Sequence, residues 1–414
     1  MDTSRYLTAA KAAAALGISL PTLYSYVSRG LVRSEAAGQR RRDRRYSRED
    51  VDRLRLRQEQ RRHPERAAQQ SLSWGVPVLE SSLSLIVDGR LYYRGREAVS
   101  LAGSQTFDAV ARWLWTGQGD GEPIRLAPEP AALGSYQSWL NQLPPATPVE
   151  RMQAILLLAA ARDMAAYDLR PAAVAQTGAR LLSLLAAAAV FPATPTATRL
   201  AEYLQRGWQA ASSAEQARQA DRAARLIDAA LILSADHELN TSAFTARCVA
   251  SVRATPYQVV IAALAALHGL RHGGQVGRVE ALYDETGTPA RAGAVVGSWL
   301  KRGESLPGFG HPLYPEGDPR ARALLAMIGE ALPRSRELAL ANKLVHTARE
   351  LVGEYPNVDF ALVAVARALK LPAGAALGLF AIGRSAGWIA HAIEQYQAEP
   401  MIRPRARYVG QLPE

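Results

Sequence analysis

What is scarce in this chain limits it first. A single cysteine, Cys248, rules out an intramolecular disulfide framework and suits a reducing compartment. It reads as a buried helix residue rather than a nucleophile. Histidine is sparse, and the close pair His268 and His272 has no third ligand at a zinc-type spacing, so no metal is expected and His268 reads as structural. The most apolar run, Leu181 to Phe191, is shorter than the roughly 20 residues a bilayer span takes, and reads as a buried helix. No apolar core follows a basic flank at the N-terminus, so no secretory signal and no membrane partner are expected, and a cytoplasmic location follows. No repeat of fixed period is visible.

What is present points to helices. A chain of 414 residues holds two or three domains at about 150 residues each, and its alanine and leucine richness makes the expected fold class mainly α. The net charge of +11 is unevenly spread. Residues 1–66 carry 16 Arg and Lys against 8 Asp and Glu, a surplus of +8 that leaves only +3 for the remaining 348 residues.

In that basic segment Thr8 is placed to cap a helix ending at Leu16-Gly17, and Ser19 to cap a second over Leu20 to Ser28, with Pro21 tolerated in its first turn. Leu23 and Val27 face inward, which leaves Thr22, Ser25 and Tyr26 outside. Arg40, Arg41, Arg42, Arg44 and Arg45 follow as a basic patch, and Ser47 to Asp50 opens another helix. Gly30-Leu31-Val32, the arginine run and Tyr46-Ser47-Arg48-Glu49-Asp50-Val51 make the segment resemble the winged helix-turn-helix of the MerR and excisionase families. The resemblance implies DNA as a partner. The five arginines would meet phosphates, which give affinity without sequence choice, and Thr22, Ser25 and Tyr26 would lie nearer base edges. The alternative is a solvated basic face serving assembly. Pro64 and the polar stretch Ala67 to Ser71 mark a linker, so the domains are expected at 1–66 and 67–414.

Beyond Leu72 the pattern is short β pieces with an Asp88-Gly89 turn, then amphipathic helices near 106–116, 149–166, 172–190, 195–210, 213–234, 241–252, 256–268, 288–301, 319–332, 335–353, 358–369 and 373–395. Four stretches hold the polar chemistry. Leu306 to Arg320, rich in proline and glycine, is either a surface loop or a rigid support for His311 and Arg320. Ser234 to Asn240 puts two acids and His237 at the end of an apolar helix, which is costly unless they are paired. His268 to Gly274 ends a helix. Tyr355 to Phe360 sets Asp359 at a helix start, as a cap or a base.

Together these stretches resemble the citrate synthase family, from about Ile86 to the C-terminus. The matching pieces stand in order: Asp88 to Gly95, Ala235-Asp236-His237-Glu238-Leu239-Asn240, His272-Gly273-Gly274, Gly308-Phe309-Gly310-His311, Asp318-Pro319-Arg320, Pro356-Asn357-Val358-Asp359, Phe380 to Arg384 and Arg403-Pro404-Arg405. The resemblance implies a large helical domain with a smaller inserted one, about 274–370, that closes over a cleft. It also implies condensation of acetyl-CoA with oxaloacetate and water to citrate and CoA, with Asp359 as base, His272 as donor to the thioester oxygen and His311 on the ketone. By the same resemblance His237, Arg320 and Arg384 bind oxaloacetate, and Arg403 crosses from the partner of a homodimer. No cofactor beyond the acetyl-CoA substrate is implied.

Many relatives have other residues where this chain has Ser234, Val276 and Pro312, which bears on CoA grip and substrate choice. The same site residues would serve a 2-methylcitrate synthase acting on propionyl-CoA. A third reading is a transcriptional regulator that keeps the fold as a metabolite sensor.

Overall fold

A computed structural model describes residues 6–36, 44–48, 50–51, 54, 79–119, 124–129, 133–143, 146–209, 214–398, 401–406 and 408–411. Arg40, Arg41, Arg42 and the expected linker lie outside the described residues. By its internal contacts the chain forms two compact units, Met1–Glu80 and Ser81–Glu414.

In the first unit, β1 (Tyr6–Thr8) leads into α1 (Ala9–Leu16), followed by α2 (Leu20–Ser28), β2 (Ser34–Ala36) and β3 (Arg44–Ser47). The caps are those the sequence suggests. Thr8 accepts from the Lys11 N–H, Gly17 ends α1 at φ 63°, and Ser19 accepts from the Thr22 N–H. Strand β3 lies between β1 and β2, antiparallel to both. Its Tyr46 joins Leu7, Ala12, Ala13, Leu16, Leu23, Val32 and Val51 in a small core. Arg33 grips Asp50 through Nε at 2.8 Å and Nη2 at 3.0 Å, tying the turn after α2 to the helical start beyond β3.

The second unit opens with an antiparallel sheet of β4 (Ser84–Val87), β5 (Arg90–Tyr93) and β6 (Arg96–Glu97). Asp88 and Gly89, both at positive φ, make the two-residue hairpin turn that an Asp-Gly pair favours. Helices follow: α3 (Ala98–Ser104), α4 (Phe107–Thr116), α5 (Gln137–Gln142), α6 (Pro148–Ala160), α7 (Pro171–Val190), α8 (Leu200–Trp208), α9 (Ala214–Ser234) and α10 (Thr241–Ser251). Then come α11 (Pro256–Leu267), α12 (Gln275–Thr286), α13 (Ala292–Lys301), α14 (Pro319–Ala331), α15 (Arg336–Val352), α16 (Val358–Ala368) and α17 (Ala375–Gln397).

Three of these, α3, α5 and α12, lie outside the expected helices. Two are short, and α12 starts directly after Gly273-Gly274, a pair that reads as a stop.

Helix α17 is the spine of the second unit, packed against α4, α6, α7, α9, α10, α11 and α16. It is largely apolar and almost wholly buried, with Arg384 and His391 among its enclosed polar exceptions. Glycines let neighbours approach: a Cβ at Gly383 would stand 2.6 Å from the Leu231 carbonyl oxygen, and one at Gly387 would strike the Ala235 carbonyl. Helix α7 extends the apolar Leu181 run to 20 residues, enough to cross a bilayer, but 78% of its apolar window is buried in the protein, against 94% for α17. Both are core helices. Cys248 sits on α10 but is only half-buried, and His268 is exposed at the end of α11.

Candidate active site

Of the seven enzyme-type residues singled out above, five stand beside helix ends or on the spine and one lies in a loop. His237 follows α9, His272 precedes α12, His311 lies in the loop before α14, Arg320 opens α14, Asp359 opens α16 and Arg384 is on α17. The loop is held by backbone pairing. Gly308 and Gly310 take φ of 81° and 75°, the Gly310 N–H donates to the Tyr355 carbonyl, and the Asn357 N–H donates to the Gly308 carbonyl. This stitches the segment carrying His311 to the one carrying Asp359.

Asn357 caps α16, its Oδ1 accepting from the Asp359 and Phe360 N–H groups. The capping role is therefore taken, and the Asp359 carboxyl is left for other work. It accepts no hydrogen bond among the described residues, and burial pushes it up to about 7 against the pull of Arg320 and Arg384. Such a carboxyl is half-ionised near neutrality, the condition for a general base.

All three histidines are neutral. Burial, helped by Arg384, lowers His272 to about 4, and burial with Arg320 lowers His311 to about 4. His237 falls well below its ordinary value through burial and the nearby Arg320 and Arg384. Their hydrogen bonds orient them. His272 Nε2 is 2.9 Å from Ser242 Oγ, itself held by the Trp388 indole N–H at 3.2 Å. The His311 Nδ1 accepts from the Leu313 N–H at 3.2 Å, which leaves the ring proton on Nε2. The rings of His237 and His311 meet edge to face with centroids 5.2 Å apart.

Two guanidinium groups are buried beside them. Arg384 spends Nε on the Ser234 carbonyl at 2.6 Å, and burial lowers it to about 10; neither of its Nη atoms has a hydrogen-bond partner among the described residues. Arg320 spends Nε and Nη2 on Asp318 at 3.0 and 2.8 Å, keeping Nη1. Asp318 also accepts from the Arg320 and Val358 N–H groups. Two buried cations with unspent donors make a site for a small anion with paired carboxylates. Arg403, the seventh residue, lies in an exposed segment without regular structure and has no ion pair among the described residues.

In the first unit, α2 presents Tyr24, which is 51% exposed, on its open face. Thr22 and Ser25 are half-buried, and Tyr26 packs against the unit's core because it lies three residues on from the buried Leu23, on the same flank. Arg44 is exposed. Arg45 pairs with Glu35 at 3.6 Å and lies over the Tyr6 ring.

The sequence profile described as "Citrate synthase, C-terminal domain" matches residues 72–405, and one described as "Helix-turn-helix domain" matches residues 6–59. The chain belongs to the citrate synthase family. It is 37% identical over 188 residues to citrate synthase 2 of Bacillus subtilis, covering 44% of this chain and 50% of that protein. It is also 37% identical over 192 residues to the Haloferax volcanii citrate synthase, covering 45% and 51%. The chain thus spans about half the length of the curated relatives it matches. Among solved structures it superposes on the Thermotoga maritima citrate synthase with a TM-score of 0.68 at 26% identity, covering 82% of this chain and 95% of that one. A Thermoplasma acidophilum citrate synthase, solved as a ternary complex with carboxymethyl coenzyme A and oxaloacetate, has the same fold, with a TM-score of 0.69 at 23% identity and the same coverages.

In this member of the citrate synthase family, the sequence reading missed the residues that support the site: Ser242, Trp388, Asp318 as ion partner, and Tyr314. Asp318 alone had a local signal, since an Asp directly before Pro-Arg at a helix start can both cap and pair. Of the positions where the chain departs from many relatives, Val276 is fully buried on α12 and Pro312 is exposed. Ser234 contributes its carbonyl, so Arg384 is held whatever the side chain there. A cavity of about 640 Å³ along α9 and the end of α14 contains none of the candidate residues, and Arg199 and Arg225 on its wall are paired with Asp228 and Asp221.

Proposed function

We propose that the protein is a citrate synthase, condensing acetyl-CoA with oxaloacetate and water to give citrate and CoA. The observation that carries this is the Asp359 carboxyl, poised near neutrality among neutral histidines and two buried arginines with unspent N–H groups. The ternary complex of the Thermoplasma relative supports the same substrate classes here.

In this reading Asp359 takes a proton from the methyl carbon of the acyl thioester. His272 donates toward the thioester oxygen, which becomes the enol oxygen, and the methyl carbon then attacks the ketone carbon. His311, with its proton on Nε2, supplies a proton to the former ketone oxygen as the carbon–carbon bond forms. Water then cleaves the thioester and releases CoA. Arg320, Arg384 and His237 hold the two carboxylates of oxaloacetate, and Arg403 of a partner subunit completes the site in a cytoplasmic homodimer. A small subdomain of about residues 274–370 closes over the cleft and excludes water during enolisation. Propionyl-CoA is the alternative acyl donor.

The helix-turn-helix match over residues 6–59 favours a second property, DNA contact by the N-terminal unit, with a domain boundary near residue 66. A regulator that only senses metabolites would bind DNA without turnover.

Thiol release from acetyl-CoA, and separately from propionyl-CoA, on adding oxaloacetate tests the enzyme. Release by wild type that falls about a thousandfold in Asp359→Ala is the expected result. A folded dimer that turns over neither ester sinks the enzyme reading and leaves the sensor.

A further inference from the structure

Tyr314 is 3% exposed and touches three of the residues described above. Its ring centroid lies 4.9 Å from that of His311 and 5.6 Å from that of His237, and the Arg320 guanidinium carbon is 5.6 Å from its centre. Its hydroxyl is 3.0 Å from His237 Nε2 and has no other hydrogen-bond partner among the described residues. Burial holds this phenol up at about 12, so it keeps its proton.

A neutral imidazole carries one N–H, and the neighbour of each nitrogen decides where it sits. If Nε2 carried it, the tyrosine O–H would point at no acceptor, and a buried donor left unpaired costs about 1–3 kcal/mol. His237 Nδ1 would then be a bare lone pair in a pocket meant for an anion. If the phenol donates to Nε2, the proton moves to Nδ1 and both groups are satisfied. Nδ1 has no partner among the described residues, so its N–H is left to point at a ligand.

We propose that Tyr314 is a positioning residue: it locks His237 in the Nδ1–H tautomer, so that this histidine offers a hydrogen-bond donor to a carboxylate of the 2-oxo diacid. The inference rests on the diacid reading of the site. Two arginines supply charge there, and a neutral N–H of fixed direction adds orientation without a third cation.

The test uses full-length protein labelled with 15N in its histidine rings, with His237 assigned by loss of its signals in His237→Gln. The expected spectrum has the His237 proton on Nδ1 and a bare Nε2. Tyr314→Phe keeps the ring contacts and removes the hydroxyl; it should mix the tautomers and raise KM for oxaloacetate about tenfold, with kcat changed far less. Calorimetry of oxaloacetate alone reads binding whether or not the protein turns over, and a melting curve of Tyr314→Phe checks its fold. A wild-type proton on Nε2, or a His237 spectrum that Tyr314→Phe leaves unchanged, overturns the assignment even if oxaloacetate binds. An Nδ1–H signal in a protein that binds no oxaloacetate overturns the carboxylate role and the condensation reading with it.

Discussion

Asp359 sits where a carboxylate is least comfortable, and that discomfort is measurable in two ways. As the proposed base it must be ionised, so kcat/KM should fall about tenfold per pH unit below about 7, with no loss from His272 or His311 until near pH 4. The stability sign is opposite. Because its value in the folded chain is raised from 3.8, the stability it contributes is complete below about 4 and is lost as pH rises through 7. Asp359→Asn should therefore melt higher than wild type at pH 8 and close to it at pH 4, while being inactive at both. Equal melting shifts at the two pH values would show that the carboxyl is not buried against its charge. Asp359, His311 and Arg320 stood out in the sequence because each lies within two residues of a Pro, Gly or Asn that fixes the local backbone. Tyr314, Ser242 and Trp388 were not, since each works through a contact with a residue 30 or more positions away.

At the scale of elements, the helix starts do the positioning. Asn357 caps α16 and sends its Nδ2 to the Gly310 carbonyl at 3.2 Å, so it holds the start of the Asp359 helix and the His311 loop at once. Asn357→Ala should cost about 1 kcal/mol in chemical denaturation, as cap losses do. It should also lower kcat by more than that small destabilisation accounts for. Gly387→Ala drives a methyl into the Ala235 carbonyl where α17 crosses the end of α9. A loss of about 1–3 kcal/mol is expected, with weakened oxaloacetate binding as the His237 segment is pushed aside; unchanged melting would mean that α17 can shift freely. The helices of the first unit were readable from their caps, Thr8 and Ser19, and most of the others from amphipathic pattern and the Pro and Gly that break it, whereas the Asn240 and Asn357 caps emerge only in the structure. Helix α12 was hidden because Gly273-Gly274, which read as a terminator, is the tight corner from which it starts. The reach of α7 was legible, since the helix expected over 172–190 is Pro171–Val190 in the structure.

Across the whole molecule the charge divides as the chain does, with +8 of the +11 surplus in residues 1–66, the part that holds the helix-turn-helix match. Exchanging Arg44 and Tyr24 for Glu and Ala should weaken retention of DNA in a gel shift and flatten its dependence on log salt by roughly 1 for the lost phosphate contact. Thiol release should be unaffected. Retention that ignores both changes would make the first unit an assembly element.

The Asp318 carboxylate joins two elements of the candidate site. One oxygen accepts from the Arg320 backbone and Nε, the other from Arg320 Nη2 and from the first N–H of α16. Arg320, proposed to grip the diacid, and the helix that carries the proposed base Asp359 therefore hang on one peg. They form an interlock: a tilt of the start of α16 that moves Asp359 carries Arg320 with it, so in the proposed condensation the grip on the diacid and the placement of the base would be adjusted together.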